Sequence, residues 1–479
     1  ATPTASPVVD LGYAKFKGKV DSTWGTTTYY GLRYASPPTG QWRFRAPQPI
    51  ESSTYYNKST VVDATTQSYQ CIQGVPGFQI TSSTQPVQPG HEDCLLVDVV
   101  VPTKPASSSL PIMVQIHGGG YATGNSELHP GNALVQQSQG SIIYVTIQYR
   151  LNAFGFLSSP EVRANGDANA GLLDQRAALD WVQRNIARFG GNPKKVTISG
   201  GSAGGGSVMN QLIMYGGNQT NPPFRAAISE FPWWQSYHND TILEIQYREL
   251  LSATKCTNLA CLRSVSSSVL DAASESAEKT GFFSHPSVYG YGDFYWGPSV
   301  DGKYIMDLPS NEWKAGRFVK VPLIVDHDQY EGVLFSNRSE TTMTQETADL
   351  QGLFPAANQS FFSRLYSLYP RKSFNSTFFQ RQQIFGDIII NCPTYYMATA
   401  NSDAKMPTWK MVFDAGTGLH AATAPFLYIN PANLSNRPLG NVMKDWFLSF
   451  TIYMNPNTKS FTTTKKPYWP QYQAAGSSN

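Results

Sequence analysis

The residues best suited to covalent chemistry lie at Gly200-Gly201-Ser202-Ala203-Gly204. A β-branched run, Val196-Thr197-Ile198, precedes them, and a helix-compatible segment, residues 205–215, follows. Strand, sharp turn and helix are the context of a nucleophile elbow. The turn strains its central residue, and the flanking glycines let neighbouring backbone pass where a Cβ would clash. Ser202 would then raise its hydroxyl at the top of a sheet, with the Ala203 N–H aimed at the same place. An activated serine also needs a base, an acid that orients the base, and donors for a developing oxyanion. The donors have a candidate. Leu110 to Ile116 reads as a strand and runs directly into His117-Gly118-Gly119-Gly120-Tyr121, where consecutive glycines let backbone N–H groups turn toward a substrate oxygen.

Chain order narrows the base. In strand–elbow–helix enzymes the acid and then the histidine follow the serine. That leaves His238, His285, His327 and His420. Only His420 combines a late position with a loop just after an apolar strand, Trp409 to Phe413. The acid belongs past a strand between the two. Val321 to Val325 leads into Asp326-His327-Asp328-Gln329-Tyr330-Glu331-Gly332, and position alone does not choose among its three carboxylates.

These residues need a scaffold that brings distant segments to one edge, and the pattern supplies it. Residues 1–60 read as an antiparallel meander, and residues 61–92 as a loop able to wall a pocket. Strands are expected at Leu95–Val101, Ile142–Tyr149 and Ala226–Phe231, besides those already named. A helix over Gly171–Phe189 carries Leu172, Leu179, Val182 and Ile186 at mostly helical spacing and stops at Gly190-Gly191-Asn192-Pro193. A strand, a long connection with a helix, then another strand implies parallel pairing. Helical insertions are expected at about 240–290 and 342–406, and the last dozen residues read as frayed. Arg43 and Arg45 read as surface or ion-pair structure.

Composition bounds the rest. The chain has 479 residues, 41% of them hydrophobic, and a formal net charge of only +3. No Lys/Arg cluster suggests nucleic acid, no His or carboxylate spacing matches a metal ligand set, and no run of about 18 apolar residues suggests a membrane span. The start, Ala1-Thr2-Pro3, reads as a processed N-terminus. The five cysteines form no C-x-x-C pair. Seven Asn-x-Ser/Thr sequons, at Asn57, Asn218, Asn239, Asn337, Asn358, Asn375 and Asn433, lean toward a secreted glycoprotein.

Several further motifs accompany the elbow: Gly31-Leu32-Arg33-Tyr34-Ala35, Glu92-Asp93-Cys94-Leu95, Tyr149-Arg150-Leu151-Asn152-Ala153-Phe154-Gly155, Asn169-Ala170-Gly171-Leu172, Phe189-Gly190-Gly191-Asn192-Pro193 and Gly297-Pro298-Ser299-Val300-Asp301-Gly302. With these the chain resembles, over nearly its whole length, the type-B carboxylesterases, the cholinesterase and fungal lipase branch of the α/β hydrolases. Leu11-Gly12-Tyr13-Ala14 looks most like secreted fungal esterases of the EstA type. The resemblance implies one α/β-hydrolase domain over 1–479, with a large, mixed, mostly parallel sheet flanked by helices. It implies Ser202 as nucleophile, Glu331 as acid and His420 as base, with oxyanion donors at Gly119, Gly120 and Ala203. It further implies disulfides Cys71–Cys94 and Cys256–Cys261, which leaves Cys392 free, and a supporting serine, Ser229, beside the acid. The family's usual Glu before the nucleophile is Gly201 here, from which altered packing is expected.

The expected activity is hydrolysis of carboxylic esters with short to medium acyl chains, without cofactor, by a secreted monomer or homodimer. Tyr121, Trp233 and Trp234 are the expected pocket residues, the tryptophans narrowing the acyl side. Phe231, Phe294, Tyr295 and Trp296 form the rest of an aromatic cluster. Lipase or sterol esterase activity and acyl transfer are alternatives on the same residues. A non-catalytic binding protein of the same fold is disfavoured because serine, acid and histidine are all present.

Overall fold

In the computed structural model, residues 7–79, 90–284 and 288–474 are described. Eleven strands form one sheet among them: β1 (Val8–Asp10), β2 (Lys15–Asp21), β3 (Thr26–Arg33), β4 (Val61–Ala64), β5 (Leu96–Pro102), β6 (Leu110–Ile116), β7 (Ile143–Ile147), β8 (Gly191–Gly201), β9 (Ala226–Glu230), β10 (Leu323–Asp328) and β11 (Thr408–Phe413). The order is β1-β2-β3-β5-β7-β6-β8-β9-β10-β11, with β4 paired to β2. From β1 through β7 the neighbours in this order run antiparallel, and from β7 through β11 they run parallel. The fold is therefore the expected mixed, mostly parallel α/β sheet with an antiparallel N-terminal flank.

Burial follows the pairing. β6, central and parallel, is Leu-Pro-Ile-Met-Val-Gln-Ile with every residue buried, whereas β2 alternates near the sheet edge. Side chains alternate between two faces. Ile112, Val114 and Ile116 join the larger core, while Met113 joins a second core under the C-terminal helix Arg437–Tyr453, with Tyr144, Ile228, Ile324, Trp409 and Phe447.

Several boundaries differ from the sequence reading for local reasons. The helix after the elbow is Ala203–Ile213, starting directly at the turn. The expected Gly171–Phe189 helix is α-helical over Ala170–Asn185, tightens to a 3₁₀ turn at Ile186–Phe189 and ends on Gly190 at φ +83°. The insertions are helical, at Asp240–Thr254, Leu259–Ser264 and Ser267–Ser284, then Met343–Leu353, Gln359–Leu368, Thr377–Gly386 and Cys392–Asp403. The chain end is not frayed as far as residue 474. The Trp469 indole donates to Lys410 O at 3.2 Å, its carbonyl accepts from Trp409 Nε1 at 3.1 Å, and Tyr472 N donates to Thr408 O at 2.7 Å. One buried indole anchors the tail, a signal too sparse to read from periodicity. Disulfides join Cys71 to Cys94 and Cys256 to Cys261, and Cys392 is free and exposed.

For function, the decisive consequence is register. Ile116 pairs with Gly200, Gly201 with Glu230, Glu230 with Asp326, and Asp328 with Phe413. The C-terminal ends of β6, β8, β9, β10 and β11 therefore lie along one edge, where open α/β sheets place their ligands.

Candidate active site

Ser202 sits between β8 and the helix Ala203–Ile213 at φ +59°, ψ −125°, a sparsely populated region for a residue with a Cβ. Three hydrogen bonds hold it there. Its N–H donates to Glu230 O at 3.2 Å, and its carbonyl accepts from Gly206 N at 2.8 Å and Trp233 N at 2.9 Å. Close packing does the rest: a Cβ on Gly204 would stand 2.1 Å from Ile116 O, so only glycine lets the helix lie this near β6.

His420 follows β11 through a turn tied to the acid's own loop, since Tyr330 N donates to Gly418 O at 2.8 Å. Its Nε2 lies 2.9 Å from Ser202 Oγ, and its Nδ1 lies 2.5 Å from Glu331 Oε2. The carboxylate can only accept, so Nδ1 carries the proton and Nε2 is free to accept from the serine hydroxyl. Glu331 is fully buried, and its other oxygen accepts from Asp328 N at 2.6 Å.

The two competing carboxylates point elsewhere. Asp326 Oδ1 accepts from Phe231 N at 3.0 Å, and Asp328 Oδ2 from Ala422 N at 3.2 Å. Burial first, then the charges of Glu331 and Asp326, pushes Asp328 up to about 10. Burial and Glu230 raise Asp326 well above the carboxylate range. Burial and neighbouring charge thus bias both toward their protonated forms, which lessens the negative charge beside Glu331. The other histidines are also accounted for. His327 faces Thr394 Oγ1 at 2.9 Å and Lys410 Nζ at 3.0 Å, and burial pushes it down to about 3. Burial holds His238, which packs on Tyr289, at about 4. His285 lies outside the described residues.

The glycine loop after β6 closes over the serine. A Cβ on Gly118 would come within 3.1 Å of Ser202 Cβ. Gly119 at φ +102° and Gly120 at φ +64° turn the chain, and Ala122 N and Thr123 N both donate to Gly119 O, at 3.0 and 2.9 Å. Among the described residues the N–H groups of Gly119, Gly120 and Ala203 make no hydrogen bond, and Gly119 and Gly120 line the same cavity as Ser202. His117 braces this loop: its Nδ1 donates to Gly118 O at 2.8 Å, its ring stacks on Tyr149 at 4.4 Å, and Tyr149 OH donates to His117 O at 2.8 Å. Burial holds His117 at about 4, so the brace is neutral.

A cavity of about 560 Å³ opens over Ser202 and His420. Phe231, Phe294 and Phe335 wall one part of it, and Leu128, Tyr428 and Ile429 another. No Asp, Glu, Lys or Arg is among its described lining residues, and burial keeps His129 in its wall neutral, at about 4. The place of the missing Glu is explained here: a Cβ on Gly201 would meet the Phe231 ring at 2.4 Å. That ring stands edge-on to His420 at 5.1 Å.

A serine on a strained elbow, an imidazole relayed to a buried carboxylate and an uncharged cavity form an arrangement that can carry acyl transfer. Comparison with known proteins gives the family. A profile of the carboxylesterase family matches residues 5–478. The chain belongs to the carboxylesterase family. It is 32% identical to Lipase 2 of Geotrichum candidum, covering 96% of this chain and 88% of that protein. To the para-nitrobenzyl esterase of Bacillus subtilis it is 30% identical, covering 97% and 92%. The crystal structure of Aspergillus niger EstA superposes with a TM-score of 0.84 at 29% identity, over 98% of this chain and 92% of that one. As a member of this family the chain is a carboxylic ester hydrolase.

Not every residue singled out from this carboxylesterase's sequence stands on the cavity wall. Trp233 is buried behind the phenylalanines, against Phe294, Phe335 and Phe385, with its ring 6.2 Å from His420. Tyr121 packs on Phe156 at 4.9 Å, and Trp234 stacks toward Tyr396 beside a separate cleft. Ser229 Oγ donates to Gly205 O at 2.9 Å, bracing the elbow helix rather than Glu331. Phe335 was not singled out. Its only signal is its place in the loop four residues after Glu331. Leu128–Pro130 and Ala424–Ile429 were missed too, because nothing in their residue types marks them as walls.

Proposed function

We propose that this chain hydrolyses carboxylic esters of short to medium acyl chain through an acyl-enzyme on Ser202. The observation that carries the reading is the Ser202–His420–Glu331 relay, at 2.9 and 2.5 Å, at the base of an uncharged cavity. The Ser202 oxygen attacks the ester carbonyl carbon while His420 Nε2 takes its proton. Glu331 holds the imidazole tautomer and stabilises the imidazolium. The negative oxygen is met by Gly119, Gly120 and Ala203 N–H, where losing one donor typically costs about 3 kcal/mol. Imidazolium then protonates the departing alkoxide, and water, deprotonated by the same imidazole, releases the acid and regenerates the serine.

Three phenylalanine rings close one side of the cavity, which supports short or medium chains over long ones. Relatives named lipase and relatives named esterase keep the longer-chain reading in view. Hydrolysis of p-nitrophenyl esters from acetate to palmitate separates the two. The proposal expects fast cleavage of short esters that Ser202→Ala removes. Preference for palmitate would replace it with a lipase or sterol esterase, and transfer to an added alcohol in place of hydrolysis would make the chain an acyltransferase.

Secretion as a glycoprotein is part of the same reading. Relatives include proteins named as secreted lipases of Gibberella zeae and Botryotinia fuckeliana. The chain carries two disulfides, and Asn57, Asn218, Asn239, Asn358, Asn375 and Asn433 are exposed, with Asn337 half-buried. A mass shift on N-glycosidase treatment of protein from a secreting host tests it; no shift overturns it.

A further inference from the structure

Arg381 lies on the helix Thr377–Gly386, outside the relay and behind the cavity wall, and is 1% exposed. Its guanidinium is the meeting point of three segments far apart in sequence. Nε donates to Asp349 Oδ2 at 2.7 Å, on the helix Met343–Leu353. Nη2 donates to Tyr291 O at 2.6 Å, and Nη1 to Ser336 Oγ at 3.3 Å. Asp349 completes the clamp. Its Oδ1 accepts from Tyr291 N at 2.5 Å, so one ion pair holds both the N–H and the carbonyl of Tyr291. Asp293, Glu340 and Glu346 feel the same guanidinium, but burial biases all three toward their neutral forms, which leaves Asp349 as the counter-ion.

Each of the two loops so held carries a ring of the cavity wall. Phe294 follows shortly after Tyr291, and Phe335 directly precedes Ser336. The loops also touch. A Cβ on Gly292 would stand 2.6 Å from Phe335 O, so only glycine lets them lie this close. Behind them Phe385, one turn along the helix, lies 4.7 Å from the guanidinium and stacks on Phe335 at 5.7 Å. A planar guanidinium donates in a fixed fork and meets partners in three directions at once, which a single ammonium nitrogen does not.

We propose that Arg381 is a positioning residue that sets acyl-chain specificity, pinning the Phe294 and Phe335 loops to one helix so that their rings stay across the cavity, a role that rests on the ester-hydrolase reading above.

The test is the ratio of kcat/KM for p-nitrophenyl octanoate to that for the butyrate, with kcat and KM read separately. This ratio does not depend on how much of the protein is active, so lost folding alone leaves it unmoved. Arg381→Met/Asp349→Asn removes the clamp without stranding a buried anion and keeps an acceptor for Tyr291 N. It is expected to raise the ratio about tenfold, through a lower KM for octanoate. Arg381→Lys keeps the charge beside Asp349 but cannot hold both loops from one nitrogen, and is expected to raise the ratio about threefold. It carries the test where the double variant does not fold. An unchanged or lower ratio in a folded variant, including an equal fall in kcat on both esters, would overturn the proposal. A native protein that cleaves neither ester would overturn the ester-hydrolase reading along with it, which tells the two failures apart.

Discussion

At the scale of single residues, three carboxylates crowd the end of β10, and their environments divide the work. Glu331 meets His420, whereas Asp328 is neutral and accepts a backbone N–H from the histidine's loop. Glu331→Gln should therefore lose about 10⁴-fold in kcat, the loss expected when the imidazole tautomer is no longer held. Asp328→Asn, which replaces one neutral acceptor by another, should stay within about fivefold of native in kcat/KM, because it leaves the acyl-transfer groups in place. The two variants separate again in stability. A carboxyl whose folded pKa is raised favours the fold fully below its unfolded value, near 4, and that contribution is lost as pH rises toward about 10. Asp328→Asn removes the loss, so the difference in Tm, variant minus native, should grow from pH 5 to pH 8. A flat difference would mean that Asp328 is ionised in the fold.

At the scale of elements, strand ends and tight loops do the positioning. The disulfide Cys71–Cys94 spans the loop that brings Pro76 to the cavity, and Gly74 N ties that loop to Ala122 O at 2.8 Å. Removing it as Cys71→Ala/Cys94→Ala should cost about 3 kcal/mol from loop entropy. Denaturant midpoints measure that cost, and KM for a short ester should rise as the wall loosens. Much of this scale was legible in the sequence. The elbow, the glycine loop and the late histidine are local patterns, each read from a strand followed by a turn. Arg43, read as surface or ion-pair structure, forms a buried bidentate pair with Glu92 at 2.6 and 2.7 Å. What was not legible is assembled by tertiary contact. Leu128 and Ile429 are 301 positions apart and meet only because β6 and β11 end on one edge. The buried tail rests on Trp469, one residue in a polar stretch without periodicity.

At the scale of the whole molecule, one sheet carries two cores and presents one working edge, and the segments after β9 and β10 and after the helix Ser267–Ser284 supply the rings that size the cavity. Phe294 stands edge-on to Trp233, and Phe335 packs tilted against it. Phe335→Ala opens the wall and also removes the edge-on ring beside His420 at 5.0 Å, so the preferred p-nitrophenyl ester should shift by several carbons toward longer chains while acetate turnover falls. An unchanged profile would place the acyl chain along Leu128 and Ile429 instead. The expectations for activity rest on Ser202 as the nucleophile. The most direct test is to treat the folded protein with an alkyl fluorophosphonate and locate the adduct by peptide mass. The account predicts one equivalent of label on the peptide containing Ser202, complete loss of ester hydrolysis in step with labelling, and no label in Ser202→Ala. Label on another residue, or full activity after Ser202 is modified, would contradict it.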